Sequence, residues 1–116
     1  SYPNPGFSSS PKRTDKMGLR GYQHELAFLT SYTKKELPVY ITETGWDQRE
    51  VGGKALQAYY LEAFEKIWGK DNRIVAVTPF LLQGAPGNFA SFSFMDKNRK
   101  PTLSYQIYRQ LLQMTN

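Results

Sequence analysis

The sequence predicts an α/β fold in which helices cover a parallel sheet. Two runs of apolar and β-branched residues, 39–42 and 73–82, predict strands, and segments with apolar residues at helical spacing alternate with them. Near-continuous apolar strands separated by amphipathic helices are typical of parallel sheets covered on both faces. Because two strands are too few for such a sheet, we expect the chain to be a piece of a larger α/β domain.

The first half of the chain predicts a loop, a helix and a strand. Residues 1–14 contain three Pro and four Ser and predict a loop, with Tyr2 at the end of a preceding strand. From Gly18 onward the apolar residues recur at helical spacing, at Leu19, Tyr22, Leu26 and Leu29. Pro38 opens the first strand, a position that Pro tolerates, and the strand ends at Glu43.

The second half predicts two helices and a second strand. A loop over 44–53 precedes a helix over 54–68, whose Tyr- and Trp-rich face we expect to be incompletely buried. After the strand over 73–82 come a turn over 84–88, a short extended segment over 89–95 and a turn over 96–100. A last helix begins near Pro101. Its predicted buried residues are Leu103, Ile107, Leu111 and Leu112.

Composition excludes several classes of site. The 116 residues include no Cys and one His, so disulfide frameworks, Cys-ligated zinc and multi-His metal centres are excluded. The net charge of +5 comes from clusters at 12–16, 34–35 and 97–100 that lack interleaved aromatics, which favours a solvated surface over nucleic-acid binding. No apolar stretch approaches the ~18–20 residues of a membrane span.

Glu43 is the residue with the clearest chemical role. It ends a predicted buried strand, and active sites of α/β folds form at the carboxyl ends of their strands. A charged group is costly to bury there unless it has a partner or a task. Gly45 permits a sharp turn, and Trp46 would bring a flat apolar face beside the carboxylate, an arrangement that suits a sugar ring. A structural carboxylate paired with Arg or Lys, and a Trp packed in the core, are the alternatives.

The segment Ile41-Thr42-Glu43-Thr44-Gly45-Trp46 resembles the nucleophile strand of the clan A glycoside hydrolases, with similar segments in families 5, 17, 39 and 53. The resemblance implies a single partial domain over 1–116, running from the end of strand 6 through helix 8 of a TIM (β/α)8 barrel. It also implies retaining hydrolysis of O-glycosidic bonds in β-linked carbohydrates, with Glu43 as nucleophile. The implied partner is an oligo- or polysaccharide substrate, with no metal and no organic cofactor.

The resemblance assigns three more residues to the substrate site. Tyr2 matches the aromatic that ends the sixth strand, where it would hold Glu43 by a hydrogen bond or serve as a plain strand-end aromatic. Trp46 would line the sugar subsite. Gln83 would lie at the mouth after the eighth strand, and a capping or loop-fixing role fits it equally well.

Retaining hydrolysis needs a second carboxyl group ~5–5.5 Å from the nucleophile. In this clan the acid/base follows an Asn at the end of the fourth strand, and no Asn-Glu pair occurs here. Asp47, Glu50 and Asp96 are weaker candidates, so we expect the acid/base upstream of Ser1. The chain alone would then be inactive, and it would be poorly folded or would self-associate so that neighbouring copies cover its open sheet edges.

Two alternative hypotheses remain open at this point. One is a non-catalytic carbohydrate-binding or degenerate barrel, which would use Trp46 and neighbouring aromatics without an acid. The other is a basic nucleic-acid-binding protein, which a steep salt dependence of DNA binding would reveal. For the full-length protein we expect a secreted or cell-envelope location.

Overall fold

The computed structural model describes residues 7–114. Two strands and four helices occur in this part of the chain. In chain order they are α1 (Gly21–Thr30), β1 (Val39–Thr44), the single-turn α2 (Gln48–Val51), α3 (Gly53–Glu62), β2 (Ile74–Pro79) and α4 (Leu103–Met114). Helix α3 continues as a π-helical turn (Ala63–Ile67) and a 3₁₀ turn (Trp68–Lys70), and a further 3₁₀ turn covers Ala90–Phe92.

The two strands pair in parallel, as the alternation of strands and helices predicts. Among the described residues they form a two-stranded sheet. The register places Val39 opposite Ile74, Ile41 opposite Val77 and Thr44 opposite Pro79, with irregularities between Val39 and Tyr40 and between Ile41 and Thr44. The observed sheet fits an α/β fold, and the barrel stays a prediction.

The core lies between one face of the sheet and the helices. Ile41 of β1 and Leu56 of α3 are fully buried, and residues of α1 and α4 join the same cluster. The aromatic face of residues 54–68 is buried at Tyr60 and Trp68, which are 1% and 3% exposed, whereas Tyr59 and Phe64 on the same face are only partly buried. Residues of α4 pack on this face together with residues of the strands, and so supply packing surface beyond that of the strands.

Two predictions are wrong in detail. Residues 89–95 form a 3₁₀ turn and an isolated bridge between Met95 and Pro101 instead of an extended segment. In α4, Ile107 and Leu111 are buried four residues apart, whereas Leu103 and Leu112 are 40% and 51% exposed. A helix that packs on one side buries only one stripe, and residues flanking that stripe stay in solvent.

Apolar side chains remain exposed away from the core. Phe28 and Tyr32, at the end of α1 and just beyond it, are 64% and 76% exposed, and their ring centroids lie 5.2 Å apart. Tyr40 and Val75 are also more than half exposed on the strands. Contiguous exposed apolar groups of this kind favour association.

We therefore expect the chain by itself to self-associate. Size-exclusion chromatography with light scattering should give a mass above that of one chain. Replacing Phe28 and Tyr32 together by Lys should lower the mass, because the pair forms an exposed apolar patch. Ala27→Lys, which adds one such charge on α1 without removing an exposed ring, should leave the mass unchanged. A monomeric native chain would contradict the expectation.

Candidate functional site

Glu43 is the second-to-last residue of β1, at the carboxyl end of a parallel strand, and its side chain is half-buried. The irregularity between Ile41 and Thr44 interrupts the alternation of buried and exposed residues just before this end. The Thr78 hydroxyl spans this irregularity: its oxygen lies 3.1 Å from the Ile41 carbonyl oxygen and 2.6 Å from the Thr42 carbonyl oxygen. These hydrogen bonds fix the backbone that carries Glu43.

The Glu43 carboxylate has no hydrogen bond or ion pair with any residue between 7 and 114. The alternative of a structural carboxylate neutralised by Arg or Lys therefore finds no support in this part of the chain. Directly after it, Thr44 is fully buried, and its hydroxyl oxygen has no hydrogen-bond partner among the described residues. The end of β1 thus combines a carboxylate and a hydroxyl that the described structure does not satisfy.

Gly45 allows the ends of the two parallel strands to lie close together. Its φ of +149° lies in the region that favours glycine, and a Cβ there would lie 3.1 Å from the Phe80 carbonyl oxygen and 3.4 Å from the Tyr60 hydroxyl. The Phe80 N–H donates to the Thr44 carbonyl oxygen at 2.7 Å. The turn that the sequence predicts after Glu43 is therefore required by close backbone contact as well as by conformation.

Trp46 lies in the core, with 1% of its surface exposed. Its indole N–H donates to the Ser9 carbonyl oxygen at 2.8 Å, and its ring packs edge-on against Tyr60 at a centroid distance of 4.9 Å. Core packing, the alternative stated for this residue, describes its present environment. Its assignment to a sugar subsite stays a prediction.

Asp47 begins α2 and is tied to Arg49. One carboxylate oxygen accepts from the Arg49 backbone N–H at 2.9 Å, and the guanidinium adds bonds of 3.2 and 2.8 Å to the two oxygens. Hydrogen bonding from Arg49 lowers the Asp47 pKa to about 2, against the opposing effect of burial. Asp47 is therefore ionised at neutral pH and cannot serve as a proton donor.

The other two carboxylates considered as acids have different environments. Asp96 accepts backbone N–H bonds from Asn98 and Lys100 and so closes the predicted turn. Glu50 is exposed on α2. Within residues 7–114 no three His, Asp or Glu side chains come together in a way that could hold a metal ion.

Of the remaining predicted site residues, the structure describes Gln83 but not Tyr2. Gln83 lies on an exposed loop four residues past β2, and no described residue hydrogen-bonds to its side chain. Tyr2 lies outside the described residues. The contact predicted between Tyr2 and Glu43 therefore stays a prediction.

A cluster of Phe rings at the carboxyl end of β2 was not predicted. Phe80 contacts Phe92 at a centroid distance of 5.7 Å, Phe89 at 5.3 Å and Phe7 at 6.2 Å. Phe89 is more than half exposed. The sequence carried one signal for it, the spacing of Phe89 and Phe92 on a short turn, but the contact with Phe80 depends on the tertiary fold.

Gly45→Ala should destabilise the protein more than Gly52→Ala. Both glycines have positive φ, so each change costs roughly 1–3 kcal/mol of backbone strain. Only Gly45 adds a close approach to backbone, because nothing lies within 4 Å of a Cβ at Gly52. Urea unfolding would measure both variants. Equal losses in the free energy of unfolding would contradict the role of the Phe80 contact.

The Asp47–Arg49 pair should contribute to stability above about pH 4 and lose its contribution as the pH falls toward 2. The folded-state pKa of Asp47 lies below its ordinary value of 3.8, so protonation disfavours the native state in that range. Because Arg49 is largely solvated, we expect an effect on the order of 1 kcal/mol. Unfolding free energies measured against pH should show a shallower acid slope for Asp47→Asn than for the native protein.

A matched control separates this effect from that of a second pair. Hydrogen bonding from Arg73 also lowers the pKa of Asp71. Asp71→Asn should therefore keep the part of the acid slope that belongs to Asp47. An Asp47→Asn variant with the native slope would show that the pair is not coupled to folding.

Comparison with known proteins adds no family to this geometry. No protein-family model matches the chain, and neither a curated protein nor a solved structure gives a match. Among the described residues no helix is both long and apolar enough to span a bilayer. The resemblance to glycoside hydrolases therefore rests on the residues around Glu43 and on the order of the elements.

Proposed function

We propose that this chain is the C-terminal portion of the catalytic (β/α)8 barrel of a retaining β-glycosidase, with Glu43 as its nucleophile. The observation that carries the proposal is the position of Glu43. It is a half-buried carboxylate at the carboxyl end of a parallel strand, without a neutralising partner among residues 7–114. In α/β folds, this edge of the sheet is where catalytic groups lie.

The surroundings of Glu43 support a role as nucleophile. The hydrogen bonds of the Thr78 hydroxyl fix the backbone before Glu43, and the close approach of Gly45 to Phe80 fixes the backbone after it. A nucleophile held on a rigid strand can approach the anomeric carbon in one geometry, which lowers the entropic part of the barrier. The Phe cluster at the end of β2 adds apolar ring surface at the same edge of the sheet.

In the proposed mechanism, a Glu43 carboxylate oxygen attacks the anomeric carbon while the bond from that carbon to the leaving oxygen breaks. A carboxylic acid from outside this chain gives its proton to the leaving oxygen. The resulting glycosyl ester of Glu43 is hydrolysed by water, whose proton returns to the same outside carboxylate. Asp47 is excluded as the proton donor of the first step because Arg49 keeps it ionised.

A second candidate function is glycan binding without hydrolysis. It is favoured by the pairing of Asp47 with Arg49, which removes one candidate proton donor, and by the exposed ring of Phe89. Such a protein would bind β-linked glycans at the same sheet edge. It would show no turnover even as the complete domain.

In the intact enzyme, Glu43→Gln should lower turnover by several orders of magnitude and leave glycan binding largely unchanged, because the amide keeps the shape but cannot attack. The measurements are aryl-glycoside hydrolysis and isothermal titration with oligosaccharides. Glu50→Gln, which makes the same change on exposed α2, serves as the control and should retain activity. This chain alone should have no activity in the same assay.

A 2-fluorosugar that traps the glycosyl ester provides the decisive measurement. Peptide mass spectrometry should recover the label on Glu43. A label on another residue would overturn the assignment. Binding of oligosaccharides without any turnover in the intact domain would favour the second candidate function.

A further inference from the structure

A polar pocket lies between the segments that follow the two strands. It has a volume of about 730 Å³ and is lined by Gln48, Arg49, Gly87, Asn88, Ala90 and Ser91. We call it the loop pocket. Its volume falls within the range of about 300–1,000 Å³ that small-molecule sites occupy.

The walls of the loop pocket are tied together through Ser93, which is fully buried. The Gln48 side-chain amide donates to the Ser93 carbonyl oxygen at 3.5 Å, and the Gly84 N–H donates to the Ser93 hydroxyl at 2.5 Å. The Thr102 hydroxyl donates to the same carbonyl oxygen at 2.6 Å. These bonds join α2, the loop after β2 and the approach to α4, so the pocket is held before any ligand arrives.

Arg49 brings donors to the loop pocket without bringing net charge. Its guanidinium uses Nε and Nη2 on Asp47, and Nη1 donates to no described residue. Because Asp47 is ionised at neutral pH, the two charges cancel at the pocket wall. A neutral ligand therefore fits this wall better than an anion, which would gain little from a guanidinium that already has its counter-charge.

The other polar groups supply acceptors as well as donors. The Gln48 side-chain amide donates an N–H to Ser93, and the Gln48 side-chain oxygen stays available as an acceptor. Asn88 is exposed and offers both an N–H₂ group and a carbonyl oxygen. No large apolar side chain lines the pocket. Hydroxyl groups both donate and accept, so mixed donors and acceptors without net charge suit a polyhydroxylated ligand.

We infer that the loop pocket is a subsite for a neutral sugar residue of the glycan, beyond the residue cleaved at Glu43. This inference rests on the proposed function, because its ligand is a further unit of the same glycan. The location supports it: α2 follows β1 and the loop over 84–92 follows β2, so both walls belong to the sheet edge that carries Glu43. The pocket would favour longer chains over short ones.

The test uses the intact enzyme carrying Glu43→Gln, so that binding is measured without hydrolysis. Isothermal titration with neutral β-linked gluco-, manno- and xylo-oligosaccharides of increasing length gives the dissociation constants. Adding Asn88→Ala should weaken binding of the longest bound oligosaccharides by about three- to tenfold, the effect of losing one or two hydrogen bonds, and leave the shortest unchanged. Asn98→Ala, an exposed Asn in the turn over 96–100, is the matched control and should change nothing.

A second variant tests the volume of the pocket independently of hydrogen bonding. Ala90→Leu places extra side chain in the loop pocket and should remove the advantage of long oligosaccharides over short ones. Circular dichroism and thermal unfolding would verify that both variants fold. Because Asn88 and Ala90 are exposed, neither change removes core packing.

Three results would overturn the inference. If oligosaccharides of all lengths bind the native-pocket and variant enzymes equally, the loop pocket is not a subsite, while the proposed function stands. If uronic acid oligosaccharides bind more tightly than neutral ones and lose that preference in Arg49→Gln, the ligand is an anion. If no glycan binds the folded enzyme and the native enzyme hydrolyses none, the proposed function fails and this inference fails with it.

Discussion

The close approach between the ends of the two parallel strands at Gly45 is the constraint on which the candidate site depends. Glycine leaves β1 at this positive φ without placing a Cβ 3.1 Å from the Phe80 carbonyl oxygen and 3.4 Å from the Tyr60 hydroxyl, where another residue would be strained and crowded. This close approach keeps the hydrogen bond from the Phe80 N–H to the Thr44 carbonyl oxygen in place, and the turn directs the chain into α2. Glu43, Asp47 and the loop pocket all take their positions from this one turn.

The core beneath the turn is aromatic and closely tied to it. Trp46 packs on Tyr59 and Tyr60, and its indole N–H is satisfied by a backbone carbonyl. Buried indoles ordinarily find such a partner, and the pairing fixes the ring in one orientation. The residue after the turn is therefore an anchor that joins β1 to α3 and to the segment before α1.

The polar groups near the site divide into two kinds. Asp47 and Arg49 satisfy one another and make α2 a rigid, nearly neutral wall. Glu43 and the Thr44 hydroxyl, by contrast, have no hydrogen-bond partner among residues 7–114. Buried or half-buried polar groups are costly when left unpaired, and under the proposed function the rest of the barrel and the substrate would supply the partners of these two groups.

Local sequence pattern was sufficient for much of the fold. The apolar runs at 39–42 and 73–82 and the helical spacing over 54–68 determined the elements, because side-chain periodicity follows directly from strand and helix geometry. Glu43 at a strand end and Gly45 at a turn were also determined locally. The pattern could not decide how far the aromatic face of residues 54–68 is covered, since burial depends on neighbours distant in sequence. It also missed the 3₁₀ turn at Ala90–Phe92, where hydrogen bonds to the preceding loop outweigh strand propensity.

Part of the chemistry around the strand end is local and part is tertiary. Sequence named Asp47 as a weak candidate for the acid, and the local turn that opens α2 excludes it as a proton donor because Arg49, two residues on, bonds to both carboxylate oxygens. Sequence left Trp46 open between a sugar subsite and core packing, and only the tertiary structure shows that its ring is buried. The Phe cluster and the loop pocket join residues more than 30 positions apart in the chain, such as Gln48 and Asn88. Periodicity determines which residues face inward. Contacts and pockets between separate segments arise only when those segments pack together, and local sequence pattern does not specify that packing.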